Sequence, residues 1–158
     1  MNWQQVCEDR NLADLPYKIE LNRHGQIIMS PTRNRHGYYQ GKMAVTLKKL
    51  LPQGEVLTEC AVETNEGTFV ADNVWASAER FAIIKDEFSC SVAPEICVEI
   101  LSWSNAADEI EKKRAEYFRK GALEFWICDL QGQLSFFDTK GKLVRSVLCP
   151  DFPVDLES

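Results

Sequence analysis

The chain has 158 residues, 45% of them hydrophobic and 27% charged, which fits one soluble globular domain spanning residues 1–158. A net charge of −6 and a pI near 5.0 count against a dedicated high-affinity nucleic-acid binder, though not against an enzyme that meets DNA through one local basic face. No apolar run approaches the length of a membrane span, and the N-terminus lacks the basic and then apolar regions of a signal peptide, so a cytoplasmic location is expected.

Trp3, Val6, Cys7 and Leu12 predict a short amphipathic helix before Pro16. Tyr17 to Leu21 and Gln26 to Met29 read as two strands around Asn22-Arg23-His24-Gly25, a hairpin with its glycine near the turn. Ser30-Pro31-Thr32-Arg33 is expected to leave the sheet as a loop, and Asn34 to cap the next helix. There His36, Tyr39, Met43, Leu47 and Leu50 recur at helical spacing until Pro52 and Gly54. Glu55 to Thr64 and Thr68 to Ser77 are strands around Asn65-Glu66-Gly67, and Ala78 to Ile84 is a short helix. The apolar, β-branched run Glu95 to Leu101 reads as a central strand covered on both faces. Asn105 then opens a helix that ends at Gly121, with Asp108 in its first turn. Phe125 to Asp129, Leu134 to Asp138 and Leu143 to Leu148 are three further strands.

Six cysteines include no C-x-x-C pair, and there are only two histidines, so a zinc site of closely spaced ligands is not expected. Cys60, Cys97 and Cys128 fall in strand-like runs and suit small buried thiols, and a cytosolic location argues against disulfides.

Two acids interrupt the strand patterns. Alternation puts Glu95, Cys97, Glu99 and Leu101 on one face of the central strand, and Ile96, Val98 and Ile100 on the other. Glu99 thus points into a layer that should be core, where a carboxylate must be paired, hydrogen-bonded or metal-bound. By the same rule Val70, Asp72 and Val74 share one face, opposite Phe69, Ala71, Asn73 and Trp75. Two inward carboxylates on neighbouring strands repel. A divalent cation resolves that repulsion, and magnesium prefers a few carboxylates with waters and substrate phosphate. The plainer alternative is that each acid ends a strand or meets an arginine. Ala106, Ile110, Lys113 and Tyr117 share one helical face, with Lys112 about 100° away. Lys113 either faces the acids, where it could orient an attacking water and offset phosphate charge, or makes a surface pair with Glu109.

Glu20-Leu21 before a hairpin, Met29-Ser30-Pro31, His36, Ala71-Asp72, Val98-Glu99-Ile100-Leu101-Ser102, Lys113-Arg114-x-x-Tyr117, Gly121 and Glu124-Phe125-Trp126 occur in a distinctive order and spacing. Together they resemble the putative restriction endonuclease family of the PD-(D/E)XK nuclease superfamily, over about Tyr17 to Val147. The resemblance implies an α/β fold, a restriction-endonuclease-like core with a mixed curved β-sheet flanked by helices and preceded by an N-terminal β-hairpin. It matches Asp72 to the first motif's acid, Glu99 to the second, and Lys113 to a lysine moved from the strand to the following helix. Glu20 matches an acid that reaches the site from the hairpin, and His36 a histidine that either faces the site or caps its helix. Ala71 replaces the motif's proline, Leu101 stands where the superfamily has lysine, and Trp103 and Asn105 replace the family's usual proline and threonine.

The expected activity is Mg²⁺-dependent phosphodiester hydrolysis, with Mn²⁺ as a substitute and DNA as substrate. Asp72, Glu99 and the Ile100 carbonyl would hold the metal, Lys113 and Glu20 would complete the catalytic set, and His36, Lys112 and Arg114 would meet the substrate. Arg33, Arg35, Lys42, Lys112, Arg114, Arg119 and Lys120 either form a basic face for phosphates or are scattered solvated charges. The alternative is a catalytically silent nuclease-fold module for nucleic-acid binding or assembly. No membrane partner is expected, and a homodimer stays open.

Overall fold

The computed structural model describes residues 1–158 as a mixed α/β fold, with eight strands in one open sheet flanked by four helices. Helix α1 (Trp3–Glu8) precedes the hairpin β1 (Tyr17–Asn22) and β2 (Ile27–Pro31). Helix α2 (Asn34–Leu50) leads to the long antiparallel pair β3 (Glu55–Thr64) and β4 (Gly67–Ala76), then to α3 (Ala78–Ile84). Strand β5 (Ile96–Ile100) is joined by α4 (Ala107–Arg119) to its parallel neighbour β6 (Glu124–Cys128), and β7 (Leu134–Asp138) and β8 (Gly141–Leu143) complete the sheet. No helix is long and apolar enough to cross a membrane.

The sheet has a core on each face. Tyr39, Met43 and Leu47 of α2 pack with Trp75, Ile96, Val98 and Trp126, and Phe152 and Leu156 of the C-terminal segment join them. On the other face Ile110 and Tyr117 of α4 pack with Phe69, Ala71, Val74, Cys97 and Phe125. All five residues of β5 are buried, as its apolar run predicts, and the predicted alternation of its faces holds.

A fork in the sheet matters most for function. One edge of β4 pairs with β3. The other edge pairs with β1 at Thr68 and Gly67, and with β5 at residues 73–75. Residues 69–72 have neither partner there, so β1 and β5 diverge around a gap. Gly67 makes the approach of β1 possible: a Cβ there would lie 2.0 Å from the Leu21 carbonyl oxygen, at φ +121°.

Five local expectations are corrected. The edge strand β2 runs through Pro31, which pairs with Tyr17, so the loop is only residues 32–33. Arg33 rather than Asn34 holds the N-cap position of α2, with no side-chain capping bond. Helix α4 starts at Ala107, because Asn105 folds back to accept hydrogen bonds from the Ser102 amide (2.7 Å) and hydroxyl (3.1 Å). Residues 144–148 are not a strand: the buried Glu124 carboxylate accepts the amides of Val147 (2.7 Å) and Leu148 (2.9 Å), drawing their backbone off the ladder.

The fifth correction falls on Asp72. Val74 lies in the same core as Phe69 and Ala71, so the alternation of β4 slips by one at Asp72 and Asn73. Opposite, Glu59 adopts φ +54°, and the pairing of β3 with β4 skips Glu59 and Asp72. The Asp72 carbonyl, lost to the ladder, accepts from Gln40 Nε2 of α2 (2.8 Å), which also donates to Glu59 Oε1 (2.8 Å). An irregular pair of this kind re-aims a side chain, here toward the fork.

Candidate active site

The fork leaves backbone amides without strand partners, and acids meet them. Val70 donates its amide to Glu20 Oε2 (2.7 Å), and Ile100 donates its amide to Asp72 Oδ2 (2.7 Å). Glu20, Asp72 and Glu99 are therefore all buried within one gap, reached from β1, β4 and β5. Tyr117 of α4 donates its hydroxyl to Glu99 Oε1 (2.8 Å) from one face of the sheet. From the other face His36 of α2 brings Nε2 to 3.2 Å from Asp72 Oδ1.

Two ammonium groups bridge the acids. Lys113 lies 2.9 Å from Glu20 and 3.6 Å from Glu99, with Glu109 more distant at 3.9 Å. Lys113 is only 2% exposed, so the inward alternative describes its position and the surface pair is secondary. Lys18 of β1 lies 3.2 Å from Asp72 and 3.3 Å from Glu99. Sequence reasoning passed over Lys18. The available signal was alternation: Lys18 and Glu20 are two apart on one strand and so share a face.

Burial favours a neutral Asp72, but Lys18, His36 and the Ile100 amide outweigh it and hold this carboxyl well below the usual range. Glu99 goes the other way. Burial pushes it up to about 7, against the pull of Lys113 and Lys18 and with the push of Asp72 and Glu20. Burial also opposes the charge of Lys18, yet Glu99, Asp72 and Glu20 hold its pKa well above the ordinary value. For His36 burial is again outweighed, by Asp72, and its pKa is raised.

These shifts set a sign. Between about 4.5 and 7 folded Glu99 holds a proton that the unfolded chain has released, so this group's contribution to stability fades as pH rises. Lys18, Glu20, Asp72, Lys113 and Tyr117 all face it. In metal-free buffer the urea midpoint of the wild type is expected to fall from pH 5 to pH 8 by more than that of Glu99→Gln. Parallel profiles would show that Glu99 is not the group titrating.

The gap opens as a polar cleft whose walls include Lys18, Glu20, Asp72, Glu99 and Lys113. Of the residues expected to meet substrate, His36 is at this cleft. Lys112 is exposed beside Glu66 at 3.7 Å, and Arg114 pairs with Glu111 and stacks on Phe137 with its guanidinium 4.8 Å from the ring centre, so neither lines the cleft. Arg119 pairs with Glu116, Lys42 donates to the Leu156 carbonyl, and Lys120 lines neither the cleft nor the depression beside it, so of the predicted basic face Arg33 and Arg35 are the members beside the cleft. A hard divalent cation fits the donor set, because Asp72 and Glu99 already converge on one cation, the Lys18 ammonium, through oxygen atoms. No three acidic, histidine or cysteine side chains are placed to ligate one ion together. Water and substrate oxygens would have to complete the shell, which is usual for magnesium.

The Uma2 family model, described as putative restriction endonuclease, matches residues 8–146. The chain belongs to the Uma2 family. No curated protein is detectably similar to this Uma2 member. A crystal structure of a putative nuclease belonging to DUF820, from Anabaena variabilis, superposes with a TM-score of 0.74 at 13% identity, covering 99% of this chain and 96% of the other. At that identity the likeness concerns the fold, which is restriction-endonuclease-like. Family and fold together support a nuclease function for this Uma2 chain.

Proposed function

We propose that the protein is a metal-dependent endonuclease that hydrolyses phosphodiester bonds of DNA. The observation that carries this reading is the convergence of Glu20, Asp72 and Glu99 with Lys18 and Lys113 in one buried gap that opens to solvent. Asp72, Glu99 and the Ile100 carbonyl would hold Mg²⁺, for which Mn²⁺ can substitute. When bound, the metal polarises the phosphate and makes a water acidic enough to attack at neutral pH. Lys113 orients that water with a charged N–H and offsets charge that grows on the phosphate. Glu20 positions Lys113, since its carboxylate holds both the ammonium and the Val70 amide. Tyr117 fixes the Glu99 carboxylate by its hydroxyl. His36 steadies Asp72 at the side of the cleft.

The rival is the silent module, favoured by Lys18, which balances two acids without any metal. Titration calorimetry and DNA nicking separate the two. Mn²⁺ should bind the wild type and fail to bind Asp72→Asn and Glu99→Gln, and EDTA should stop nicking. Equal metal binding by all three proteins would remove the site assignment. Inactivity on varied DNA and RNA with metal bound would leave the silent module.

A further inference from the structure

Beside the polar cleft lies a second depression, mostly apolar, that shares His36, Pro31, Thr32 and Ser102 with it. Its outer wall is Trp103, which is 69% exposed, the largest side chain the molecule leaves in solvent to that degree. A further apolar depression adjoins it and shares Leu101, Ser102, Trp103 and Leu130. The indole thus borders two hollows with much of its surface wet. An exposed indole that walls two adjoining apolar depressions beside a polar cleft is a candidate contact for a ligand.

The surroundings specify the ligand's chemistry. Arg33 lies over the Trp103 ring at 5.8 Å, and Arg35 reaches only the Leu130 carbonyl, at 3.3 Å. Both arginines are exposed, and neither pairs with an acid, unlike Arg80, Arg114 and Arg119. His36, whose side chain is only 10% exposed, walls both hollows and leaves Nδ1 without a hydrogen-bond partner. An exposed indole and two cations without acidic partners beside the acids match a nucleotide: a base to stack, a phosphate to pair.

We propose that Trp103 is a stacking platform for an unpaired nucleobase next to the phosphate held in the cleft, with Arg33 and Arg35 taking the neighbouring phosphate. A base inside a duplex hides both faces in the stack, so this platform selects single-stranded, frayed or flipped DNA. The inference rests on the nuclease reading for its setting but is tested by binding alone.

The experiment is anisotropy of a labelled single-stranded oligodeoxynucleotide, and of its duplex, with the full chain at low salt in EDTA, so that no cleavage intervenes. Trp103→Ala should weaken single-strand binding by at least about fivefold, the lower end for loss of one base–aromatic stack. Duplex binding should be unchanged, and Trp103→Phe should keep most of the single-strand affinity. The exposed position of Trp103 lets Trp103→Ala fold, which its urea midpoint verifies. Equal effects on single strand and duplex, no effect on either, or no single-strand binding by the wild type would each overturn the proposal. Selective loss in a protein that never cleaves would uphold the platform and sink the nuclease. Cleavage of duplex by Trp103→Ala with unaltered single-strand binding would do the reverse.

Discussion

Lys113→Ala should lower single-turnover DNA cleavage at saturating Mn²⁺ by roughly 10²–10³-fold, the usual loss when one donor to developing charge is removed. Lys113 stands inside the acid cluster, 2.9 Å from Glu20 and 3.6 Å from Glu99, so its ammonium can act on a water and a phosphate beside those acids. It is not among the proposed metal ligands, so calorimetry should find Mn²⁺ still bound by the variant. Lys112 is the control. It projects to solvent beside Glu66 at 3.7 Å, and Lys112→Ala should change only a weak DNA contact that added salt removes. A dead Lys112→Ala together with an active Lys113→Ala would invert the assignment and count against the helix face from which it came.

Lys18→Met should cost about 3 kcal/mol of stability in metal-free buffer, the low end for removing one partner of a buried ion cluster. The side chain is 8% exposed and touches both Asp72 and Glu99. Asp72 keeps His36 at 3.2 Å and the Ile100 amide at 2.7 Å, but the other cation beside Glu99, Lys113, lies farther off at 3.6 Å and pairs more closely with Glu20. The loss stays at the low end because Glu99, already raised to about 7, can take a proton instead of remaining as an unpaired charge. Mn²⁺ should restore part of the stability, by mass action on the folded state, and restore more in Lys18→Met than in wild type. Urea unfolding with EDTA and with excess Mn²⁺ measures both effects. Equal stability of variant and wild type without metal would mean that Lys18 does not balance the acids in solution.

Some of this site could be read without coordinates. Glu99 lies on a short apolar strand whose alternation is regular, so its inward direction followed from its neighbours. Lys113 shares a helical stripe with Ile110 and Tyr117, and all three are buried. Ala106, assigned to that stripe, is instead the exposed N-cap, because the loop before it closes on Asn105. Asp72 interrupts an apolar pattern and is buried at the gap, yet strict alternation puts Val74 on the wrong face relative to Phe69 and Ala71. Strict alternation assumes an unbroken ladder, and nothing in the local pattern announces that Glu59 will enter φ +54° opposite it.

Lys18 shows the other limit. On an N-terminal hairpin strand a lysine reads as a solvated side chain, since lysine is rarely buried without a partner. Its partners are 54 and 81 residues away, and only the docking of β1 onto the start of β4 brings them near. Most strands and helices, and the apolar faces of β5 and α4, follow from the sequence, because periodicity and turn chemistry act between near neighbours; the faces of β4 past Asp72 and the course of residues 144–148 do not. The fork between β1 and β5, and with it the meeting of three acids, two lysines and one histidine, was decided only by tertiary structure. Such a site depends on where strands stop pairing, and that is settled by contacts between segments far apart in the chain.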